Sequence, residues 1–406
     1  MKTDSKNIKA IIIIAALGYF VDIYDLILFG VVRKPSLTSL GITGEMQLSV
    51  GVQLLNWQMS GMLLGGILWG ILGDRKGRIS VLFGSIFLYS AANFANGFVT
   101  GIPAYAVLRF AAGVGLAGEL GAGITLVSEV MPKETRGWGT TIVATVGLAG
   151  AVVAALVAKE FEWRTAYLVG GGMGIVLLIL RISVYESGMY SSIKNMNVSK
   201  GNFFMLFNNS RRFYKFTKCI LIGLPTWFVV GVLITFSDKF AEALNVNSAI
   251  NPAQSIMYTY IGLIAGDLVS GYLSQLMRSR KKVIIIFIIM NLIFISVYLF
   301  LNKYGETFFY FICGMLGVAN GYWAVFVTNA SEQFGTNLRA TVTTTTPNFI
   351  RGTTVPITLT FQFISSYLGI ITAAIIVGVV LISIALTAAL KTEETFGKDL
   401  DYVEVT

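Results

Sequence analysis

Apolar residues in this chain come in long runs, not in the alternating or once-per-turn patterns of a soluble domain. The runs lie near 9–31, 51–72, 80–99, 104–128, 138–158 and 165–183, then near 218–236, 253–275, 283–300, 307–330, 343–365 and 368–390. A bilayer's hydrocarbon core is about 30 Å thick, so a helix rising about 1.5 Å per residue needs about 20 mainly apolar residues to cross it. Twelve spanning helices are predicted. Two of them, 218–236 and 343–365, are interrupted by Pro or Arg. The first run is too long for a cleaved signal peptide, carries two Asp and lacks a small-residue cleavage site, so it reads as a retained span.

The polar stretches between runs fix an expected orientation. With the N-terminus in the cytoplasm, 22 of the 30 Lys and Arg fall in inner segments, Arg181 among them, and six in outer loops (Arg33, Lys34, Lys159, Arg164, Lys239, Lys303). The last two, Arg109 and Arg351, fall inside spans. Positive charge concentrates on the cytoplasmic side of membrane proteins, so both termini are expected inside.

Composition sharpens the class. The 406 residues are 55% apolar and 13% charged, against about 25% charged in a soluble domain. There is no His, which excludes a His-dependent triad and a His-ligated metal site. Neither a metal nor a cofactor is predicted. Cys219 and Cys313 both sit in apolar runs and are expected as buried free thiols. The net charge of +9 needs no nucleic acid, because a basic inner face meets anionic lipid.

The chain also repeats itself. Ser128-Glu129, Arg136 and Thr140-Thr141 recur as Ser331-Glu332, Arg339 and Thr343-Thr344, each at an offset of 203. The segment Gly70 to Arg78 returns in degraded form as Gly271 to Gln275 with Arg278, Arg280 and Lys281. Three parts follow: a six-helix half over 1–183, a cytoplasmic linker over 184–217 and a second half over 218–406. Repeats of this kind mark transporters, with the site near the midplane between halves.

These segments resemble a known family. Gly70-Ile-Leu-Gly-Asp74-Arg75-Lys-Gly77-Arg78 is similar to the G-x-x-x-D-R-x-G-R signature of the major facilitator superfamily, lacking one basic residue where Ile79 stands. Arg109-x-x-x-Gly113-x-Gly115 resembles its span-four motif, and Glu129/Arg136 and Glu332/Arg339 its paired Glu-x6-Arg signatures. Asp22-Ile-Tyr-Asp25 resembles the D-x-x-D of its metabolite:proton and aromatic-acid symporter branches. Glu186-Ser187 is similar to a motif after span six, without its prolines and arginine. The resemblance implies an all-α membrane protein of twelve helices in two pseudo-symmetric bundles. It also implies functional roles for the Asp22 and Asp25 acids and Arg109.

Ionisable residues inside spans carry the candidate chemistry. Asp22, Asp25, Arg109, Glu119, Asp267 and Arg351 each cost about 2.5–3.5 kcal/mol at a helix centre, so they are expected to face a wet cavity or one another. Asp25 and Arg109 are expected level. Asp22 lies one turn deeper on the same face. Crowded carboxylates resist double ionisation and a nearby Arg opposes that effect, so Asp22, Asp25 and Arg109, with Glu119, are the candidate proton-coupling group. A static Asp–Arg pair is the alternative. In the second half Asp267 and Arg351 can be level, with Pro347 and Gly352 loosening the helix around Arg351. A guanidinium there is a fork for a carboxylate or phosphate. The alternative is a permanent Asp267–Arg351 pair. Asn320, Asn56, Gln58, Tyr24 and Trp227 complete the candidate substrate site. At the cytoplasmic rim Asp74, Arg75, Arg78, Glu129 and Arg136 face Glu332, Arg339, Arg278 and Arg280 across the halves. Exposed pairs of about 0–1 kcal/mol suit a reversible latch.

The reading is a transporter, monomeric, in a bacterial inner membrane, that takes up a small organic anion together with protons. Sugar or sugar-phosphate transport, or proton-coupled efflux, are alternatives on the same fold. A non-transporting sensor is disfavoured by mid-membrane charges in both halves. An enzyme is disfavoured because no nucleophile, base and metal converge.

Overall fold

The computed structural model describes residues 5–76, 78–130, 136–185, 203–300 and 305–398. Helix is the only regular structure among its described residues, with spans where the apolar runs predict them. The first three are single helices: span one Ser5–Ser39, span two Met46–Lys76 and span three Arg78–Asn96. Span four is broken into Ile102–Leu116 and Glu119–Val130; spans five and six are Arg136–Glu160 and Trp163–Tyr185. Span seven runs from Ser210 to Ala243 through a π-helical stretch, Val229–Ile234. Spans eight and nine are Pro252–Leu276 and Arg280–Phe300. Spans ten and eleven are each broken, into Glu306–Asn320 with Trp323–Glu332 and Thr336–Gly352 with Thr354–Leu368; span twelve is Ile370–Leu390. Together they form the two six-helix bundles of an all-α membrane protein.

Local sequence explains the starts and breaks. Asn209 caps span seven by accepting from the Arg211 and Arg212 amides, and that helix takes up the last eight residues expected in the linker. Residues 186–202, with Glu186 and Ser187, lie outside the described residues. Asn251 caps span eight ahead of Pro252, whose missing amide is harmless at a first helical position. The breaks in spans four and ten fall at Ala117–Gly118 and Gly321–Tyr322, close to the offset of the sequence repeat.

Breaking a helix in a membrane frees backbone groups that water cannot satisfy, so side chains must. Around the span-four break Trp69 Nε1 donates to the Val114 carbonyl at 2.6 Å, and Asn348 Nδ2 donates to that of Ala117 at 2.7 Å. Around the span-ten break Asn291 Nδ2 donates to the Ala319 carbonyl at 2.9 Å, and Asp267 Oδ1 accepts from the Ala324 amide at 3.1 Å. The Asn348 bond comes from the opposite half. Span eleven also packs along span two, and span eight along span five. Cys219 and Cys313 are free and buried.

Candidate functional site

The charges cluster around one face of span one. Asp22 and Asp25, three residues apart, point about 60° from each other around a helix of 3.6 residues per turn. That angle sends them to different neighbours.

Asp22 faces the other half. Its Oδ2 lies 3.8 Å from Arg351 Nη2, and both side chains are sealed from solvent. Arg351 also approaches Asn348 Oδ1, at 3.5 Å, while its Nε has no hydrogen-bond partner among the described residues. Tyr19 and Tyr260 lie within electrostatic reach of both charges, and the Trp323 indole lies against the Tyr19 hydroxyl. The result is a guanidinium with unused donor capacity, set among aromatic rings at the seam between the halves.

Asp25 faces its own half. Its carboxylate packs against Gly170 of span six, where an added Cβ would collide with Oδ1. Arg109 acts on it electrostatically without a formed ion pair. The Arg109 guanidinium is spent on Gln58 Oε1, on the Tyr167 hydroxyl at 3.4 Å, and on the Phe29 ring 5.1 Å away. Gln58 in turn donates to the Leu26 carbonyl.

Glu119 forms a doubly bonded, buried ion pair with Arg181, whose Nη1–Oε2 distance is 3.0 Å. It packs against Gly18, one turn before Asp22. Arg181 therefore lies inside the bundle, not in the inner segment to which charge counting assigned it. Arg33 is buried as well, at the end of span one, and pairs with Asp238 of span seven at 2.5 Å. A buried Glu119 requires a cation partner, and Arg181, one turn inside the end of span six, supplies it.

The expected Asp267–Arg351 pair is not formed. Asp267 instead satisfies the amide that opens the second segment of span ten, where helix-dipole and hydrogen bond both favour a carboxylate. Asn320 donates to Asn291 Oδ1 and the Leu316 carbonyl within its own half. Tyr24 bonds the Ala166 carbonyl and Asn56 accepts from Thr358 across the halves at 2.7 Å. Trp227 is buried in span seven. At the rim Glu332 meets Arg280 at 3.6 Å and accepts from Thr395, so this pairing lies within one half. The side chains of Asp74, Arg75, Arg78, Glu129, Arg136 and Arg339 lie outside those described.

Two bundles of six helices with facing charges sealed at their seam fit a membrane transporter. The chain belongs to the Major Facilitator Superfamily, whose family model matches residues 15–347. It is similar to a Haemophilus influenzae protein whose name goes no further than metabolite transport, with 27% identity over 84% of each chain. It is also similar to the niacin transporter NiaP of Acinetobacter baylyi, with 26% identity over 84% of this chain and 85% of the relative. The sialic acid transporter NanX of Escherichia coli is 23% identical over 71% of this chain and 70% of its own.

Proposed function

We propose that this transporter takes up a small organic acid together with a proton, and that Asp22 and the substrate carboxylate compete for Arg351. The observation that carries the reading is the Asp22–Arg351 pair across the halves. Two unit charges 4 Å apart attract by about 4 kcal/mol at an effective dielectric of about 20. Desolvation offsets much of that, so the pair is exchangeable.

Charge balance then couples the two solutes. Protonating Asp22 removes the counter-ion of Arg351. A buried guanidinium left alone is costly, and a substrate carboxylate restores neutrality. The loaded site holds one proton and one anion and is as neutral as the empty one, so the halves (1–183 and 218–406) rock with either content. On the other side the anion leaves, Arg351 draws back the Asp22 carboxylate, and the proton is released. A lone proton leaves a bare Arg351, and a lone anion leaves two carboxylates on one guanidinium; both are unfavourable intermediates.

The rings of Tyr19, Tyr260 and Trp323 favour a flat, partly apolar body behind the carboxylate. Niacin and sialic acid, named for two relatives, are both carboxylic acids. Both termini face the cytoplasm, in keeping with the Lys and Arg distribution, and the membrane is a bacterial inner membrane, the organisms of the relatives being bacteria.

The test is uptake of labelled nicotinate, benzoate, sialic acid and glucose into proteoliposomes, with and without an imposed pH gradient. The reading expects accumulation of an acid only with the gradient, and loss of that dependence in Asp22→Asn. Gradient-independent transport, or transport of glucose alone, would refute it.

A further inference from the structure

The interior of the N-terminal half holds a second polar feature, separate from the seam. Along span three Ser85, Tyr89, Asn93 and Asn96 recur at steps of four, four and three, which is one stripe of a helix. All four are fully buried. Such residues are tolerated in a membrane helix when they bond to each other or to backbone. Here the Tyr89 hydroxyl, the neighbouring Ser90 hydroxyl and both amide atoms of Asn93 and of Asn96 have no hydrogen-bond partner among the described residues. The same holds for both oxygens of Asp25.

These groups lie side by side. Asn93 lies close enough to the Asp25 carboxylate to interact with it, short of a well-aligned hydrogen bond. Tyr89 is within electrostatic reach of Asp25, Asp22, Glu119 and Arg181. Span six closes the other side without side chains: Gly170 lies over Asp25 and Gly174 over Ser90. Span four contributes Arg109, and Tyr167 of span six contributes its hydroxyl. At the far end Asn96 is the last residue of span three, and the turn after it is held by Arg164, which donates to the Gly97 and Val99 carbonyls.

Buried polar groups are nearly always satisfied, and where protein does not serve them, internal water does. We infer that the stripe bounds a file of water inside the N-terminal half, and that protons reach Asp25, and from it Asp22, by this file while the substrate uses the seam. The inference rests on the proton-coupled reading above and adds the path. Each step is a proton hop: water to the Asp25 carboxylate, then through intervening water to Asp22 three residues away, since neither carboxylate bonds the other directly. A relay of this kind needs hydrogen-bond reach at each hop, not movement of the halves.

The test needs no substrate. The full-length protein in vesicles is given a pH jump, and the carboxylic-acid infrared band that disappears in Asp25→Asn is followed in time. Asn93→Leu and Asn96→Leu are expected to slow that band by roughly a hundredfold, and Asn93→Ser, which keeps room and polarity, to restore most of the rate. An unchanged rate in both leucine variants sinks the path alone, since Asp25 would still titrate. No such band in the unaltered protein sinks the path and the proton-coupled reading together. If the leucine variants do not fold, hydroxyl-radical labelling of the unaltered protein decides. Rapid oxidation of Tyr89 supports internal water beside it, and protection equal to that of the dry-packed Tyr298 overturns it.

Discussion

Buried Arg33 in span one and half-buried Asp238 in span seven form an ion pair that ties the two halves together at the end of the molecule remote from Ser5. The guanidinium also lies 4.7 Å from the centre of the Phe236 ring. Asn56 and Thr358 are bonded across the halves, likewise between the end segments of spans two and eleven nearest that face. A buried pair that loses one partner leaves an uncompensated charge, at a cost of about 3–5 kcal/mol. If the pair exists only while this face is shut, Asp238→Asn shifts the open-to-shut ratio by roughly a hundredfold for about 3 kcal/mol. Val52→Cys, in a background with Cys219 and Cys313 replaced by Ser, reports this through its rate of alkylation. Faster alkylation with Asp238→Asn is expected; an unchanged rate would mean the pair persists in both states.

Arg351→Lys keeps the charge at the seam but loses the planar fork, so it separates charge from geometry. The expected outcome is a KM for the transported acid raised by roughly tenfold to a hundredfold, with proton dependence retained. Asp22→Asn is expected to do the reverse: exchange of labelled for unlabelled acid continues, and accumulation against a gradient stops. Counterflow and pH-driven uptake measured on the same vesicles distinguish the two.

The twelve spans were legible because bilayer thickness imposes a length on apolar runs, and the repeat was legible because it preserved residue types at one offset. The breaks in spans four and ten were hidden in glycine-rich sequence that is equally compatible with tight packing. Pairings were harder. Depth along a span can be counted, and it put Asp25 level with Arg109 and Asp267 level with Arg351. Azimuth cannot be counted across helices whose rotation is unknown. Arg351 therefore turned out to face Asp22, and Asp267 the backbone of span ten. Positive-inside counting hid Arg181 for another reason: a cation one turn inside a span end looks the same whether it reaches for lipid headgroups or for a buried Glu119.

Glu119 and Arg181 allow the proton-carrying and static roles of a buried pair to be separated. Glu119→Gln alone weakens the doubly bonded pair with Arg181 and should cost up to about 3–5 kcal/mol of stability. Arg181→Met alone should cost a comparable amount. If the pair is structural, the double variant recovers stability relative to either single one, and retains pH-driven uptake. If Glu119 carries a proton in the cycle, the double variant folds but loses that uptake. Thermal unfolding and uptake of the four proteins complete the cycle.

On the face bearing the termini, Glu394 holds the start of span nine. Its carboxylate accepts from the Arg280 amide at 2.9 Å, the Lys281 amide at 3.3 Å and the Ser279 hydroxyl, and it also bonds its own neighbours Thr395 and Phe396. Partial burial works to raise its pKa, but the bonds from Ser279, Phe396, Arg280 and Thr395 outweigh it and hold the carboxyl below the usual glutamate range. A carboxyl whose folded-state pKa is depressed stabilises the fold above its unfolded value, about 4.3, and that contribution disappears as pH falls through the lower folded value. The carboxylate is largely exposed and screened, so the contribution is on the order of 1 kcal/mol or less. Glu394→Gln keeps the shape and removes the titration. Its melting temperature should lie slightly below that of the unaltered protein at neutral pH, with the gap closing on acidification. A gap that stays constant with pH would show that the cap acts through its shape rather than its charge.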